Sequence, residues 1–182
     1  MKLFKIYTVD DEVVHQKAKE VKMPLDNETR QTILDMVQYL KDSQDDEIAK
    51  EYNIRPGVGI AAPQVGISSR FFCIYFQDGE KTYEYGLVNP KIISTSAKRA
   101  YLANGEGCLS VPKDMPGHVY RYYKITITGF DVVSNQDVKL RLMGYPAIVF
   151  QHEYDHLDGI LYIDKIKQST TFGEEEDAIA IE

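Results

Sequence analysis

The sequence has little cysteine and no long apolar run, and each absence excludes a class of protein. Two cysteines among 182 residues are too few for a disulfide-stabilised fold. No segment approaches the run of about 18 apolar residues that a membrane span needs, and the first residues, MKLFKIYTVDDEV, lack the apolar stretch of a signal peptide. We therefore expect a cytoplasmic protein without membrane contact, in which Cys73 and Cys108 do not pair.

Positive charge is scarce as well. The formal net charge is −7, and residues 173–182 hold five acidic residues and no basic one, which leaves −2 for residues 1–172. A nearly balanced body has no basic surface for nucleic acid, so we expect none to be bound. The composition predicts one folded domain over residues 1–167 and a flexible acidic C-terminal tail over residues 168–182, dispensable for chemistry.

The strongest chemical signal is the stretch PAIVFQHEYDHLDG, residues 146–159. His152 and His156 lie one helical turn apart on one face of a predicted helix, with Glu153 beside them. The remaining residues are mostly apolar, so the helix is expected to be buried. Two imidazoles and a carboxylate would each cost on the order of a few kcal/mol if they were buried without a partner, and a metal cation satisfies all three.

The rest of the chain predicts an α+β fold. Residues 28–43 have helical periodicity, and strand signals dominate the middle of the chain. Strand-rich segments between helices predict antiparallel sheet packed around the central helix, with further helices at the N-terminal end. The predicted elements are short helices at 12–20 and 44–52, the helix at 28–43 after a cap at Asp26 or Asn27, and strand pairs at 71–76 with 83–88 and at 125–133 with 138–142.

A catalytic metal site usually has three protein ligands and one open position, so a third ligand is needed. Astacin-like peptidases carry a histidine six residues after the motif, where this chain has Tyr162. Thermolysin-like peptidases use a downstream glutamate, but here Asp164 is predicted to end a strand and Glu174, Glu175 and Glu176 lie in the tail. Neither peptidase arrangement supplies the ligand.

Cys108 is the best candidate for the third ligand. It lies in EGCLS, residues 106–110, a glycine-containing segment where backbone can approach a metal closely. Cys73 is expected to be a buried core residue, and His15 and His118 are expected on the surface. Two imidazoles and a thiolate suit Zn²⁺ or Fe²⁺, and the residues alone do not choose between these ions.

The stretch GVGIAAPQ, residues 57–64, has two readings with chemical content. It fits a dinucleotide-binding fingerprint by its letters, but no strand precedes it and Pro63 stands where a helix should begin. The alternative is that the glycines let backbone donors reach a substrate while Gln64 presents its amide to a reacting carbonyl. An ordinary glycine-proline loop is the remaining interpretation.

Together, GVGIAAPQ, EGCLS and QHEYDH (151–156) occur in an order and spacing that resemble the peptide deformylases. The resemblance covers about residues 10–165, and the long segment before Gly57 resembles the bacterial type II members. It implies antiparallel sheets wrapped around the HExxH helix. It also implies a hydrolase that removes the N-formyl group from nascent chains beginning with formyl-methionine, releasing formate.

The resemblance also implies a role for individual residues. Cys108, His152 and His156 correspond to the metal ligands, Glu153 to the catalytic acid and base, and the Gln64 amide and the Leu109 backbone N–H to the oxyanion donors. The methionine pocket corresponds to Gly57, Val58, Gly59, Gly107, Tyr145, Ile148 and Val149. One divalent metal is implied, Fe²⁺ in the cell, with Zn²⁺, Ni²⁺ or Co²⁺ accepted. The implied partner is the nascent formyl-methionyl polypeptide, and the ribosome is a further partner. The enzyme itself is expected to be a monomer.

Two other functions stay open on the residues. The first is an HExxH metallopeptidase, which a downstream glutamate ligand would favour over Cys108. The second is a structural metal domain that binds a protein partner. Structural sites fill all four metal positions with protein ligands, so a fourth ligand such as Glu106 or Cys73 would favour that function.

Overall fold

The computed structural model describes residues 1–169 and 177–182. The helices and strands follow one another in an α+β order, which confirms the predicted fold class. In chain order they are α1 (Asn27–Ser43), α2 (Asp46–Glu51), β1 (Gly59–Ala61), β2 (Phe71–Asp78), β3 (Lys81–Thr95), β4 (Arg99–Leu102), β5 (Arg121–Tyr122), β6 (Lys124–Asp131), β7 (Gln136–Met143), α3 (Tyr145–Leu157), α4 (Tyr162–Ser169) and β8 (Ile179–Ile181).

Two sheets surround α3. The larger is antiparallel with the order β1-β2-β3-β6-β7, and the smaller has the order β5-β4-β8. The predicted hairpins are confirmed as β2–β3 and β6–β7, each joined by a short turn. The apolar side of α3 packs on the larger sheet, where the rings of Phe150 and Phe72 meet edge to face with centroids 5.9 Å apart. The core therefore fixes α3 against the sheet along one side.

The predicted helix over residues 28–43 is confirmed as α1. Asp26 caps it, because its side chain accepts a hydrogen bond of 2.7 Å from the Thr29 N–H. Ile33 and Leu40 are fully buried on the face that packs against β2. Cys73 of β2 lies in this layer with its Sγ 3.5 Å from the Ile33 carbonyl oxygen, a core residue as predicted.

Two local predictions are wrong. Residues 12–20 contain only a short 3₁₀ helix, Glu12–His15. The segment around Asp164 is the first turn of α4 and not the end of a strand. The Asp164 carboxylate accepts the Leu161 N–H at 3.0 Å, and this local bond satisfies one of the free N–H groups at the start of the helix.

The C-terminal region has a contact that the sequence did not indicate. β8 pairs with β4 in parallel, with Leu102 opposite Ile181. The predicted tail over residues 168–182 lies partly outside the described residues, so its boundary stays a prediction. Within the described part of the chain, none of the helices combines the length and the apolar character that crossing a bilayer requires.

Candidate metal centre and its cavity

α3 begins and ends where its sequence predicts. Pro146 stands in its first turn, and Gly159 follows its end with a φ of +72°. A Cβ on Gly159 would lie 2.4 Å from the His15 carbonyl oxygen, so only glycine fits the close approach of these two segments. Gly159 therefore determines where the helix ends. His152 and His156 then lie on its buried face, at 9% and 0% exposure.

Three donor atoms meet beside α3. The ligand atoms of Cys108, His152 and His156 all lie within 4.8 Å of one another, and Cys108 Sγ is 3.3 Å from His156 Nε2. A metal with bonds of about 2.0 to 2.3 Å needs tetrahedral donors roughly 3.3 to 3.6 Å apart. The distance between Cys108 Sγ and His156 Nε2 matches this spacing, and one sulfur and two imidazole donors are a suitable set for a single divalent ion.

The His152 ring is oriented by a buried ion-pair network. His152 Nδ1 lies 2.8 Å from a Glu106 carboxylate oxygen, and since a carboxylate only accepts, Nδ1 carries the proton and Nε2 is left for a metal. Arg121 donates to both Glu106 oxygens at 2.7 and 2.9 Å and to Asp155 at 2.9 Å. Lys165 contacts the same Asp155 oxygen at 3.0 Å. We call these five residues the ion-pair network.

The charges in this network determine the protonation of Glu106. Burial alone would raise the pKa of the Glu106 carboxyl, but the Arg121 guanidinium and the hydrogen bond from His152 lower it to about 2. Glu106 is therefore a carboxylate. Both of its oxygens are engaged by Arg121 and one also by His152, so Glu106 holds a ligand in place rather than acting as a fourth one.

Glu153 lies next to the cluster with an unused oxygen. Its Oε2 and the Nδ1 of His156 are buried and have no hydrogen-bond partner among the described residues. Burial raises the pKa of the Glu153 carboxyl to about 7, against the opposing charges of His152 and Arg121. A Cβ on Gly59 would lie 2.6 Å from Glu153 Oε1, so the carboxylate occupies its place only because residue 59 is glycine. A buried carboxylate oxygen without a partner among the described residues, on the residue next to His152, fits a metal site that also holds water.

The Gln64 amide points its NH₂ group at the cluster. Its Oε1 accepts the Ala61 N–H at 2.8 Å, which leaves Nε2 to donate to Ser110 Oγ at 3.1 Å and to face Cys108 Sγ at 3.5 Å. Ser110 Oγ in turn donates to the Tyr7 carbonyl oxygen at 2.6 Å. The orientation of the amide is fixed because Ala61 supplies a donor. Gln64 therefore offers a preorganised N–H donor beside the metal ligands.

A cavity of about 280 Å³ opens above the cluster. Residues Gly57–Gly59, which we call the glycine wall, form one side, and α3 forms the other. Every residue that the resemblance placed in the pocket lines this cavity: Gly57, Val58, Gly59, Gly107, Tyr145, Ile148 and Val149. Gln64, Cys108, Leu109, His152 and Glu153 line it as well, as do five residues that the sequence analysis did not place there, namely Gln44, Arg55, Pro56, Leu102 and Glu106.

The remaining histidines and the second cysteine lie elsewhere. His15 and His118 are exposed, as predicted. Both cysteines are free, and Cys73 is not among the donors. Within the described residues the cluster contains three donors and no fourth, and its third donor is the upstream Cys108. This arrangement favours neither a closed structural metal site nor the peptidase ligand set.

Comparisons with known proteins agree with one another. A protein-family model described as polypeptide deformylase matches residues 3–172. The chain is 52% identical over 156 residues to the peptide deformylase of Shouchella clausii, covering 85% of each chain. It is 50% identical over 168 residues to that of Oceanobacillus iheyensis, covering 92% of this chain and 91% of the relative. The crystal structure of the peptide deformylase from Thermotoga maritima aligns with a TM-score of 0.70 at 34% identity, covering 91% of this chain and 99% of that one.

Proposed function

The chain belongs to the polypeptide deformylase family and removes the formyl group from the N-terminal methionine of newly made polypeptides, and from this premise we propose that the cavity is its active site. The observation that carries the proposal is the position of Glu153. Its Oε2 has no hydrogen-bond partner among the described residues, and Glu153 lines the same cavity as the donors Cys108 and His152.

We propose that Cys108, His152 and His156 hold one divalent metal, Fe²⁺ in the cell, with Zn²⁺, Ni²⁺ or Co²⁺ able to replace it. A thiolate with two imidazoles suits these ions better than hard cations such as Mg²⁺. When bound, the metal supplies a Lewis acid and lowers the pKa of water at its open position. Glu106 and Arg121 keep the His152 ring in the one tautomer that can bind it.

Glu153 is the proposed acid and base. It takes a proton from the attacking water, whose oxygen forms a bond to the formyl carbon. It then gives that proton to the amine nitrogen as the C–N bond breaks, which leaves formate and a free methionine amine. A pKa raised by burial to about 7 suits a group that must first accept and then donate a proton near neutral pH.

Gln64 and Leu109 are the proposed oxyanion donors. The Gln64 Nε2 group is fixed by its contacts to Ser110 and Cys108, and Leu109 follows the Cys108 ligand directly in the chain. Donors aimed at the oxygen of the formyl group stabilise the charge that develops there, and one such donor is worth roughly 2.7 to 4 kcal/mol.

The methionine side chain is proposed to lie between the glycine wall and the α3 residues Tyr145, Ile148 and Val149. This lining is mostly apolar, which suits an unbranched thioether side chain. We further propose that the enzyme is a monomer that meets its substrate at the ribosome, in the cytoplasm.

A formate-release assay on protein purified without oxygen tests the proposal. We expect about one metal per chain, as in catalytic sites with three protein ligands, and release of formate from formyl-Met-Ala-Ser. The peptide product should be intact Met-Ala-Ser by mass spectrometry, since an endopeptidase would cleave between residues instead. Metal-loaded protein that releases no formate would contradict the proposed function.

A further inference from the structure

Gln44, the residue that follows α1, lines the cavity but belongs to neither the metal cluster nor the predicted pocket. We propose that Gln44 is a positioning residue that fixes the glycine wall and thereby determines how selectively the pocket accepts methionine. The proposal rests on the proposed function, because it takes the cavity as the site of the formyl-methionyl group.

The end of α1 binds both backbone polar atoms of Gly57. Gln44 Nε2 donates to the Gly57 carbonyl oxygen at 2.9 Å and to the Tyr75 carbonyl oxygen at 2.7 Å. Ser43 Oγ accepts the Gly57 N–H at 3.2 Å and donates to the Leu40 carbonyl oxygen at 2.7 Å. Ser43 and Gln44 at the helix end therefore hold the two peptide units that flank the Cα of Gly57.

The Gln44 amide extends the hydrogen bonding between β1 and β2 beyond the last paired residues of these strands. β1 pairs with β2 from Gly59 opposite Ile74, and the Tyr75 N–H reaches back to the Val58 carbonyl oxygen at 2.9 Å. Past that bond, the carbonyls of Gly57 and Tyr75 both accept from the Gln44 side chain. The first residue of the wall thus depends on side chains for its position, whereas Gly59 is held by strand pairing.

The helix α1, which precedes Gln44, is firmly packed against the larger sheet. Ile33 and Met36 of α1 are fully buried against β2, and the Gln44 backbone N–H closes the helix by donating to Lys41 at 3.1 Å. The wall cannot move inward freely, since a Cβ on Gly57 would already lie 3.0 Å from Leu109 Cδ1. Loss of the Gln44 bonds should therefore let the wall move outward and widen the pocket.

A wider pocket affects binding more than chemistry. Gly59, which contacts Glu153, keeps its pairing with Ile74, and Gln64 is held by Ala61 and Ser110. We therefore expect Glu153 and the Gln64 amide to stay in place when Gln44 is changed. The expected signature is a higher KM for formyl-methionyl peptides with little change in kcat, together with weaker discrimination against larger side chains.

Gln44→Met tests the proposal, because methionine keeps the length of the side chain and removes both donors. Gln38→Met is the matched control: Gln38 lies on the same helix, is exposed, and donates to Asp42 at 2.9 Å away from the cavity. With metal-loaded full-length protein, we expect Gln44→Met to raise KM for formyl-Met-Ala-Ser about tenfold, the order expected from two neutral hydrogen bonds, and to change kcat less than about twofold.

The same variant should reduce the preference for formyl-Met-Ala-Ser over formyl-Phe-Ala-Ser, and Gln38→Met should leave all three quantities as in the wild type. An unchanged KM in Gln44→Met, or a loss confined to kcat, would overturn the proposal. Either result would show that the wall keeps its position without this side chain.

Hydrogen exchange separates this inference from the proposed function. Amide exchange over residues 57–61, followed by mass spectrometry, should be faster in Gln44→Met than in the wild type and in Gln38→Met. Unchanged exchange would overturn the positioning role whatever the activity. Absence of formate release by the metal-loaded wild type would instead overturn the proposed function, and the exchange result would still decide whether Gln44 holds the wall.

Discussion

The two sides of the cavity are held in different ways. On the α3 side, His152 is oriented by the buried charges of Glu106 and Arg121. On the opposite side, the glycine wall and Gln64 are held by neutral hydrogen bonds. Removing one partner of a buried ion pair costs about 3 to 5 kcal/mol, whereas one neutral bond contributes about 1 kcal/mol. Loss of one of the buried charges should therefore destabilise the site more than loss of one neutral hydrogen bond.

Cys108→Ser should have the largest effect. A neutral hydroxyl is a much poorer ligand than a thiolate, so we expect metal and activity to be lost together. Cys73→Ser is the matched control and should retain both, because Cys73 lies in the core against Ile33. Metal content by elemental analysis and formate release measure the outcome. Stoichiometric metal in the Cys108 variant together with its loss in the Cys73 variant would reverse the ligand assignment.

Glu153→Gln should separate chemistry from metal binding on the charged side. The substitution keeps size and removes the proton acceptor, so kcat should fall by about 10²- to 10⁴-fold while metal content stays. The loss of a carboxylate whose Oε2 has no hydrogen-bond partner among the described residues should cost little stability. Near-wild-type turnover by the metal-loaded variant would refute the role of Glu153 in proton transfer.

Gln64→Ala tests the neutral side where it comes nearest to the reacting atoms. We expect kcat to fall by about 10²- to 10³-fold through weaker stabilisation of the oxyanion. The pH profile should keep its shape, since Glu153 remains. A shifted profile would instead mean that Gln64 acts on the proton-transfer group, and the contrast between the two sides would then be weaker than the geometry indicates.

Glu106→Gln should lower metal affinity by about 10- to 100-fold, the range observed when the partner of a metal-ligating histidine is removed. The pKa of Glu106 is lowered from 4.5 to about 2, so its contribution to stability is complete above pH 4.5 and is lost as the pH falls toward 2. In urea unfolding of the metal-free protein, the difference between wild type and variant should therefore shrink between pH 7 and pH 3. A constant difference would contradict the ionised state of Glu106.

Deletion of residues 168–182 should have the smallest effect. It removes β8, one of the two strands that pair with β4, and Leu102 of β4 lines the cavity. None of the proposed ligands or catalytic groups is removed, so kcat for formyl-Met-Ala-Ser should be unchanged and KM should rise by less than about tenfold, the order of a few neutral bonds. A larger loss would place the C-terminal segment within the catalytic domain and contradict the predicted boundary at residue 167.

The sequence predicted those parts of the fold that local patterns determine. α1 and the two hairpins have clear periodicity, and His152, Glu153 and His156 are adjacent in one helix. β1 and β8 were missed because three residues are too few for an alternating pattern, and β8 is a parallel pairing between distant segments. α4 was missed because its first two residues, Tyr162 and Ile163, belong to the apolar run ILYI (160–163), which by itself resembles a strand.

The supports of the site were beyond sequence reasoning for a different reason. Nothing in the residues next to Arg121 indicates its contacts, yet its side chain is 1% exposed and binds acids 15 and 34 residues away. In the sequence Gln44 is one polar residue near the end of a predicted helix. Only the fold shows that its side chain donates hydrogen bonds to the carbonyl oxygens of Gly57 and Tyr75. Residue types indicated the chemistry of the site, while the residues that hold it in place depend on long-range contacts.

The contact between Gly159 and His15 has a consequence for the enzyme's own synthesis. The segment that closes the site starts near Tyr7, whose carbonyl oxygen accepts from a serine 103 residues later, and the end of the HExxH helix packs on the backbone of residue 15. All three proposed metal donors, Cys108, His152 and His156, lie in the second half of the given sequence. An enzyme that trims other chains while they are being made must itself be translated at least through residue 156 before its proposed active site can form.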